Sequence, residues 1–135
     1  MNEITITSIV NAPLSTVWQK WTEPLHVMNW NFASDEWHCP NAVNNFVIGG
    51  DFHYTMAAKD GSFSFDFWGT YKNIEFEHVI EITLGDGRKM HVGFENNQGI
   101  TEVIEIFEPE TENTLELQKA GWQAILDNFK KYVEG

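Results

Sequence analysis

The chain reads as an α+β protein ordered β-αα-β6-α, in which a curved seven-stranded antiparallel sheet wraps around one long C-terminal helix. Three observations carry that reading. Residues 37–107 alternate apolar and polar side chains between short turns rich in glycine and asparagine, the pattern of an antiparallel meander. An apolar stripe of helical period follows Pro109. Ahead of the strands lies a helix pair marked by Pro13 and Pro24, each where proline loses no needed N–H.

Taken in order, residues 2–10 alternate Ile4 and Ile6 with Thr5 and Thr7, which predicts a β-branched first strand. Pro13 then opens a helix, with Ser15 placed to accept from its first turn and Val17, Trp18 and Trp21 at helical spacing. A short second helix follows Pro24 and carries Leu25, Met28 and Trp30. Strands are expected at 37–46, 51–59, 63–73, 78–84, 88–95 and 100–107, joined through Gly49-Gly50, Lys59-Asp60-Gly61, Gly85-Asp86-Gly87 and Asn96-Asn97-Gln98-Gly99. The last helix, of about five to six turns, presents Leu115, Gln118 or Lys119, Trp122, Ile125, Leu126, Phe129 and Val133 on one face. Asn113 with Glu116 has the spacing of a capping box, and Lys130-Lys131 suit the negative end of the helix dipole.

Composition narrows the function classes. At 135 residues, 42% of them hydrophobic and 21% charged, the chain has room for one core and is expected to fold by itself. Eight Lys and Arg against twenty Asp and Glu leave a net charge of −12, which disfavours nucleic acid and anionic membrane partners. One cysteine, Cys39, closes no intramolecular disulfide, and the start Met1-Asn2-Glu3-Ile4-Thr5 has no basic or apolar leader pattern; a cytoplasmic location is expected.

The unusual component is aromatic: six Trp, ten Phe and three Tyr make up 14% of the chain. Strand alternation puts Phe52, Tyr54 and Met56 on one face, Phe63, Phe65 and Phe67 on another strand's face, and Met90, Val92 and Phe94 on a third. Trp122 and Leu126 would face them from the helix. The same residues serve a filled core or an open cavity. Trp122→Ala is expected to cost roughly 3–5 kcal/mol as a lost wall of the core.

No catalytic residue is assigned, because the chain has no Gly-x-Ser-x-Gly elbow, no P-loop, no dinucleotide fingerprint, and no glycine setting that would expose Cys39. The five histidines, His26, His38, His53, His78 and His91, lack metal-site spacing, and His38 and Cys39 point to opposite faces of one strand, so no metal and no cofactor is expected. Glu81 and Glu105 leave two registers open. In one, both carboxylates face the cavity as a pair suited to acid/base work. In the other, the simpler one, Glu81, Glu102 and Glu105 lie on the wet face while Ile104 and Ile106 point inward.

The sequence resembles the START-like helix-grip superfamily of birch-pollen-allergen type, and within it the bacterial group related to the C-terminal domain of the activator of the ninety-kilodalton heat-shock protein's ATPase. Carriers of the resemblance are Ala12-Pro13, Val17-Trp18, Trp21-Thr22, Trp30, Gly49-Gly50-Asp51-Phe52, Gly69-Thr70-Tyr71, Ile74-Glu75, Val92-Gly93-Phe94-Glu95, Gly121-Trp122, Leu126 and Tyr132. The chain departs from the family's usual pattern at Phe76-Glu77, where a proline breaker is common, and at Glu81, where an aromatic is common.

The resemblance implies one START-like domain over 1–135 that encloses a small hydrophobic ligand, aromatic, polyketide-like or lipid-like, between sheet and helix. The expected ligand-binding residues are Trp30, Trp37, Tyr54, Phe65, Phe67, Phe94, Trp122 and Leu126, with the entrance near Trp30 or Trp37. The family name offers a co-chaperone-like module with a chaperone or other protein as partner. Cyclase- or hydrolase-like chemistry on the same scaffold is a third reading.

Overall fold

Ten elements follow one another in the computed structural model, which describes residues 3–135: β1 (Ile4–Val10), α1 (Leu14–Thr22), α2 (Pro24–Val27), β2 (Trp37–Asn44), β3 (Asp51–Ala58), β4 (Ser64–Glu75), β5 (Val79–Leu84), β6 (Lys89–Asn97), β7 (Ile100–Phe107) and α3 (Leu115–Glu134). The order is the one the sequence predicts. Asn2, placed in the first strand by its sequence, lies outside the described residues. All seven strands form one antiparallel sheet in the order β1-β7-β6-β5-β4-β3-β2, so the meander from β2 to β7 is closed by β1 returning beside β7. Ile6 stands opposite Glu105 in that pairing, and Val92 faces Glu105 from the other side.

The sheet curls around α3, which lies closest to β1. Side chains of the helix hold that edge: Gln123 Nε2 donates to the Thr7 carbonyl at 3.2 Å and Lys130 Nζ to the Ile9 carbonyl at 2.7 Å. At the other end Asn128 donates to the Trp30 carbonyl at 2.9 Å, and Tyr132 meets His26 Nδ1 at 2.7 Å, which ties α3 to the helix pair. Phe129, fully buried, packs edge-on against Trp21 and Trp30. This aromatic knot, with Val17, Trp18 and Phe94, fills the end of the sheet under α1.

Helix starts differ from the sequence expectation. Thr114 is the cap of α3, its hydroxyl accepting from the Leu117 N–H at 3.1 Å. Asn113 is drawn away by Glu110, whose carboxylate takes both its backbone and side-chain N–H groups. Ser15 caps nothing; Pro13 precedes α1 in an extended conformation with no side-chain cap. Leu115 also leaves the predicted stripe and is exposed, because the buried face of α3 begins one turn later at Gln118.

Geometry requires glycine for two different reasons, shown by Gly87 and Gly69. Gly87 adopts φ +92° in the β5–β6 turn. Gly69 is needed for close approach: a Cβ there would sit 2.8 Å from the Thr83 carbonyl oxygen and 3.0 Å from the Phe52 ring. A backbone atom on one side and a buried ring on the other leave no cheap relief. Gly69→Ala is therefore expected to lower stability by about 1–3 kcal/mol, read as an earlier urea midpoint; an unchanged midpoint would show that the strand can shift.

Candidate functional site

Curling brings the apolar faces of β3 to β7 round α3 without closing the space between them. A cavity of about 230 Å³ remains, walled by Phe52, Tyr54 and Met56 of β3, Phe67 and Tyr71 of β4, Ile80 and Ile82 of β5, and Met90 of β6. Trp122 and Ile125 form the helix wall, and Trp21, Trp30 and Asn31 the floor. α3 lies closest to the β1 edge of the sheet, so only large side chains span from it to β3 and β4. Trp122 does this: its ring stacks on Phe107 with centroids 3.8 Å apart and meets Phe67 edge-on at 5.9 Å.

Five of the eight residues expected to bind ligand line this cavity: Trp30, Tyr54, Phe65, Phe67 and Trp122. Phe65, at 43% exposure, is the one exposed lining residue among those described and marks where the cavity reaches solvent. Trp37 does not line it. It packs edge-on against Phe63 and Phe65 beyond a bulge between His38 and Asn41, so it stands next to the opening. Phe94 and Leu126 are also absent from the lining. Phe94 is locked against Trp18 and Trp21, and Leu126 is fully buried in the core. Trp30 is 3% exposed and belongs to the closed end.

The carboxylates divide. Thr101, Val103, Glu105 and Phe107 point inward from β7, whereas Glu102, Ile104 and Ile106 are on the outer face. Glu105 is 5% exposed and lines the cavity. Burial pushes its carboxyl up to about 8. Glu81 is on the outer face, bonded to His91 Nδ1. The two therefore form no pair, and both readings of them from sequence are corrected: one carboxylate is inside and the others outside, and Ile104 and Ile106 do not point inward.

Other polar groups around the cavity are neutral or engaged. Burial pushes the Tyr54 and Tyr71 phenols up, and for Tyr71 the neighbouring Tyr54 adds to the effect. Asn44 donates to the Thr22 carbonyl at 2.7 Å and to the Tyr54 hydroxyl at 3.4 Å. Arg88, at the rim, donates from Nε to Asp86 at 2.7 Å and from Nη1 to the Glu108 carbonyl at 3.1 Å. Sequence reasoning passed over Arg88 and Asn31. Asn31 follows directly on Trp30, a lining residue, which is the signal that could have found it.

Burial pushes the Cys39 thiol up, which disfavours the thiolate, and its Sγ donates to the Asn41 carbonyl at 3.5 Å. Among the described residues no three His, Cys, Asp or Glu side chains stand close enough to hold a metal ion. His53 pairs with Asp66 at 2.7 Å and stacks on Trp68, an outer-face role like that of His91. No helix of the described residues is long and apolar enough to cross a membrane.

A curled antiparallel sheet gripping a C-terminal helix over an apolar cavity defines a helix-grip protein of the START-like, or SRPBCC, class. The chain belongs to the family of activator of Hsp90 ATPase homolog 1-like proteins, whose signature matches residues 11–134. It is similar to the AHSA1-like protein from Aeromonas hydrophila, at 42% identity over 98% of this chain and 92% of that one, with a TM-score of 0.93. It also resembles a Cytophaga hutchinsonii protein solved in solution, at 49% identity, 99% and 93% coverage and a TM-score of 0.86. A Staphylococcus aureus protein of unknown function, 16% identical over 98% of this chain and 93% of that one, shares the fold with a TM-score of 0.76. No curated protein matches the chain.

Proposed function

We propose that this protein is a non-catalytic binder of a small hydrophobic molecule, held between the sheet and α3. The observation that supports it most is the cavity itself: about 230 Å³ with aromatic and aliphatic walls and an opening beside Phe65. Well-packed cores do not keep such a void for stability, because empty apolar volume costs on the order of 24 cal/mol per Å³. An occupant recovers that cost. Burial of ligand surface at about 25 cal/mol per Å², less the cost of association, gives micromolar affinity for a flat compound of two or three rings.

Quenching or a shift of tryptophan emission tests the proposal, with flavonoid-like, polyketide-like and fatty-acid compounds as ligands. Trp21, Trp30 and Trp122 line the cavity and report occupancy directly. Ile125→Trp fills space from the helix wall and is expected to weaken binding ~tenfold or more without loss of stability, since the added ring enters a void. If no compound perturbs the emission and Ile125→Trp destabilises the protein, the space is not available to ligands. A protein-interaction role then takes first place, and one observation favours it: Phe76, 75% exposed, projects beside Trp18 in the turn between β4 and β5.

A further inference from the structure

Resting on that binding role, the chemistry inside the cavity narrows the ligand class: we infer that the protein selects an apolar molecule carrying hydrogen-bond acceptors, carbonyl oxygens above all, which accept from the protonated Glu105 carboxyl and the Asn31 amide.

Glu105 sits in an apolar frame. Ile6 and Val92 flank it across the sheet, and Val103 and Phe107 precede and follow it on the inner face of β7. No hydrogen bond or ion pair reaches it from the described residues, and the rim cation Arg88 is already held by Asp86 and the Glu108 carbonyl. A carboxylate without a partner in such a place costs several kcal/mol, so the group keeps its proton and becomes an O–H donor with nothing to receive it.

Asn31 repeats the pattern. It is 5% exposed, lines the same cavity, and its side-chain Nδ2 has no oxygen or nitrogen to donate to among the described residues, only the Cys39 sulfur beside it, a weak acceptor. Two buried groups thus lack the same thing, an acceptor. A hydrocarbon would leave both unsatisfied, and an amine would require an ion pair to be desolvated in an apolar wall. A carbonyl answers both.

Fluorene and 9-fluorenone isolate the effect, since they share a ring frame and differ by one carbonyl. In the parent at pH 6, the ratio of their dissociation constants should favour fluorenone by about fivefold or more over the same ratio in Glu105→Leu, the worth of one hydrogen bond. Glu105→Gln keeps an N–H donor and should keep the preference. The parent's preference should also fade between pH 7 and pH 9.5, whereas that of Glu105→Gln should not. The other ionisable groups facing the cavity are Tyr54 on β3, Tyr71 on β4 and Arg88 before β6, while α1, α2 and α3 contribute none to the lining. Both phenols are pushed up, so neither titrates in that window. Equal ratios in parent and Glu105→Leu, with both compounds bound, would overturn the inference and leave the binding role standing. Tighter binding of 9-aminofluorene than of fluorenone would overturn it too, by making Glu105 a counter-ion. If neither fluorene nor fluorenone binds the parent, the binding role itself fails for flat apolar ligands and the inference falls with it.

Discussion

Raising the pH from 5 to 8.5 is expected to destabilise this protein by on the order of 4 kcal/mol, and Glu105→Gln to remove most of that dependence. In the unfolded chain the carboxyl has its ordinary value of 4.5, and burial in the fold pushes it up to about 8. Between those values the folded state holds a proton that the unfolded state has released. Stability from this group is therefore complete below about 4.5, falls as the pH rises, and is gone above about 8. The direction is opposite to that of a salt-bridged carboxylate, which loses stability on acidification. Urea unfolding of parent and variant at pH 5, 7 and 8.5 measures it. Parallel curves for the two proteins would mean that the Glu105 carboxyl does not stay protonated in the fold.

Phe129→Ala is expected to cost roughly 3–5 kcal/mol, whereas for Trp122→Ala the partial burial of the indole on the cavity wall lowers the figure expected from sequence to about 2–3 kcal/mol. The ranking reverses what indole size alone suggests. Phe129 is fully buried in a three-ring cluster with Trp21 and Trp30, whose own ring centroids lie 4.8 Å apart, so its loss opens a cavity in a packed cluster. Trp122 is half-buried, stacked on Phe107 along one face while another borders space already empty. Denaturant midpoints and near-ultraviolet dichroism of both variants settle the order. A larger loss for Trp122→Ala would mean that the cavity wall, and not the aromatic knot, anchors α3.

The fold was largely legible because its signals are local and agree with one another. Glycine turns fix every hairpin but β4–β5, where Glu77 takes the positive φ, alternation fixes each strand, and the long stripe after Pro109 has only one sheet to cover. The site was legible in part, and the failures have causes. In β7 both faces carry apolar residues, Ile100, Ile104 and Ile106 against Val103 and Phe107, so polarity alone favours hiding the isoleucines and exposing Glu105. Pairing with β1 and the stack of Phe107 on Trp122 select the other register, and neither is visible in an eight-residue window. Trp37 was placed by the resemblance and not by alternation, and no local pattern shows that the β2 bulge sets it beside the opening and off the lining. Phe94 and Leu126 do point inward. They lie where the knot is solid, and no periodicity distinguishes a filled end from an open one.

The pairing of β1 with β7 has a consequence for how the chain folds. β1 finds its only sheet partner among the described residues about ninety residues later, and the side chains that hold its free edge come later still, on α3. Hairpins from β2 to β7 can close as they emerge, whereas Ile4, Ile6 and Val10 stay exposed until β7 and α3 are made. Closing that long loop is a late and slow event for a topology so rich in distant contacts. Emergence of α3 is thus the moment at which the β1 edge can be covered and the core can close.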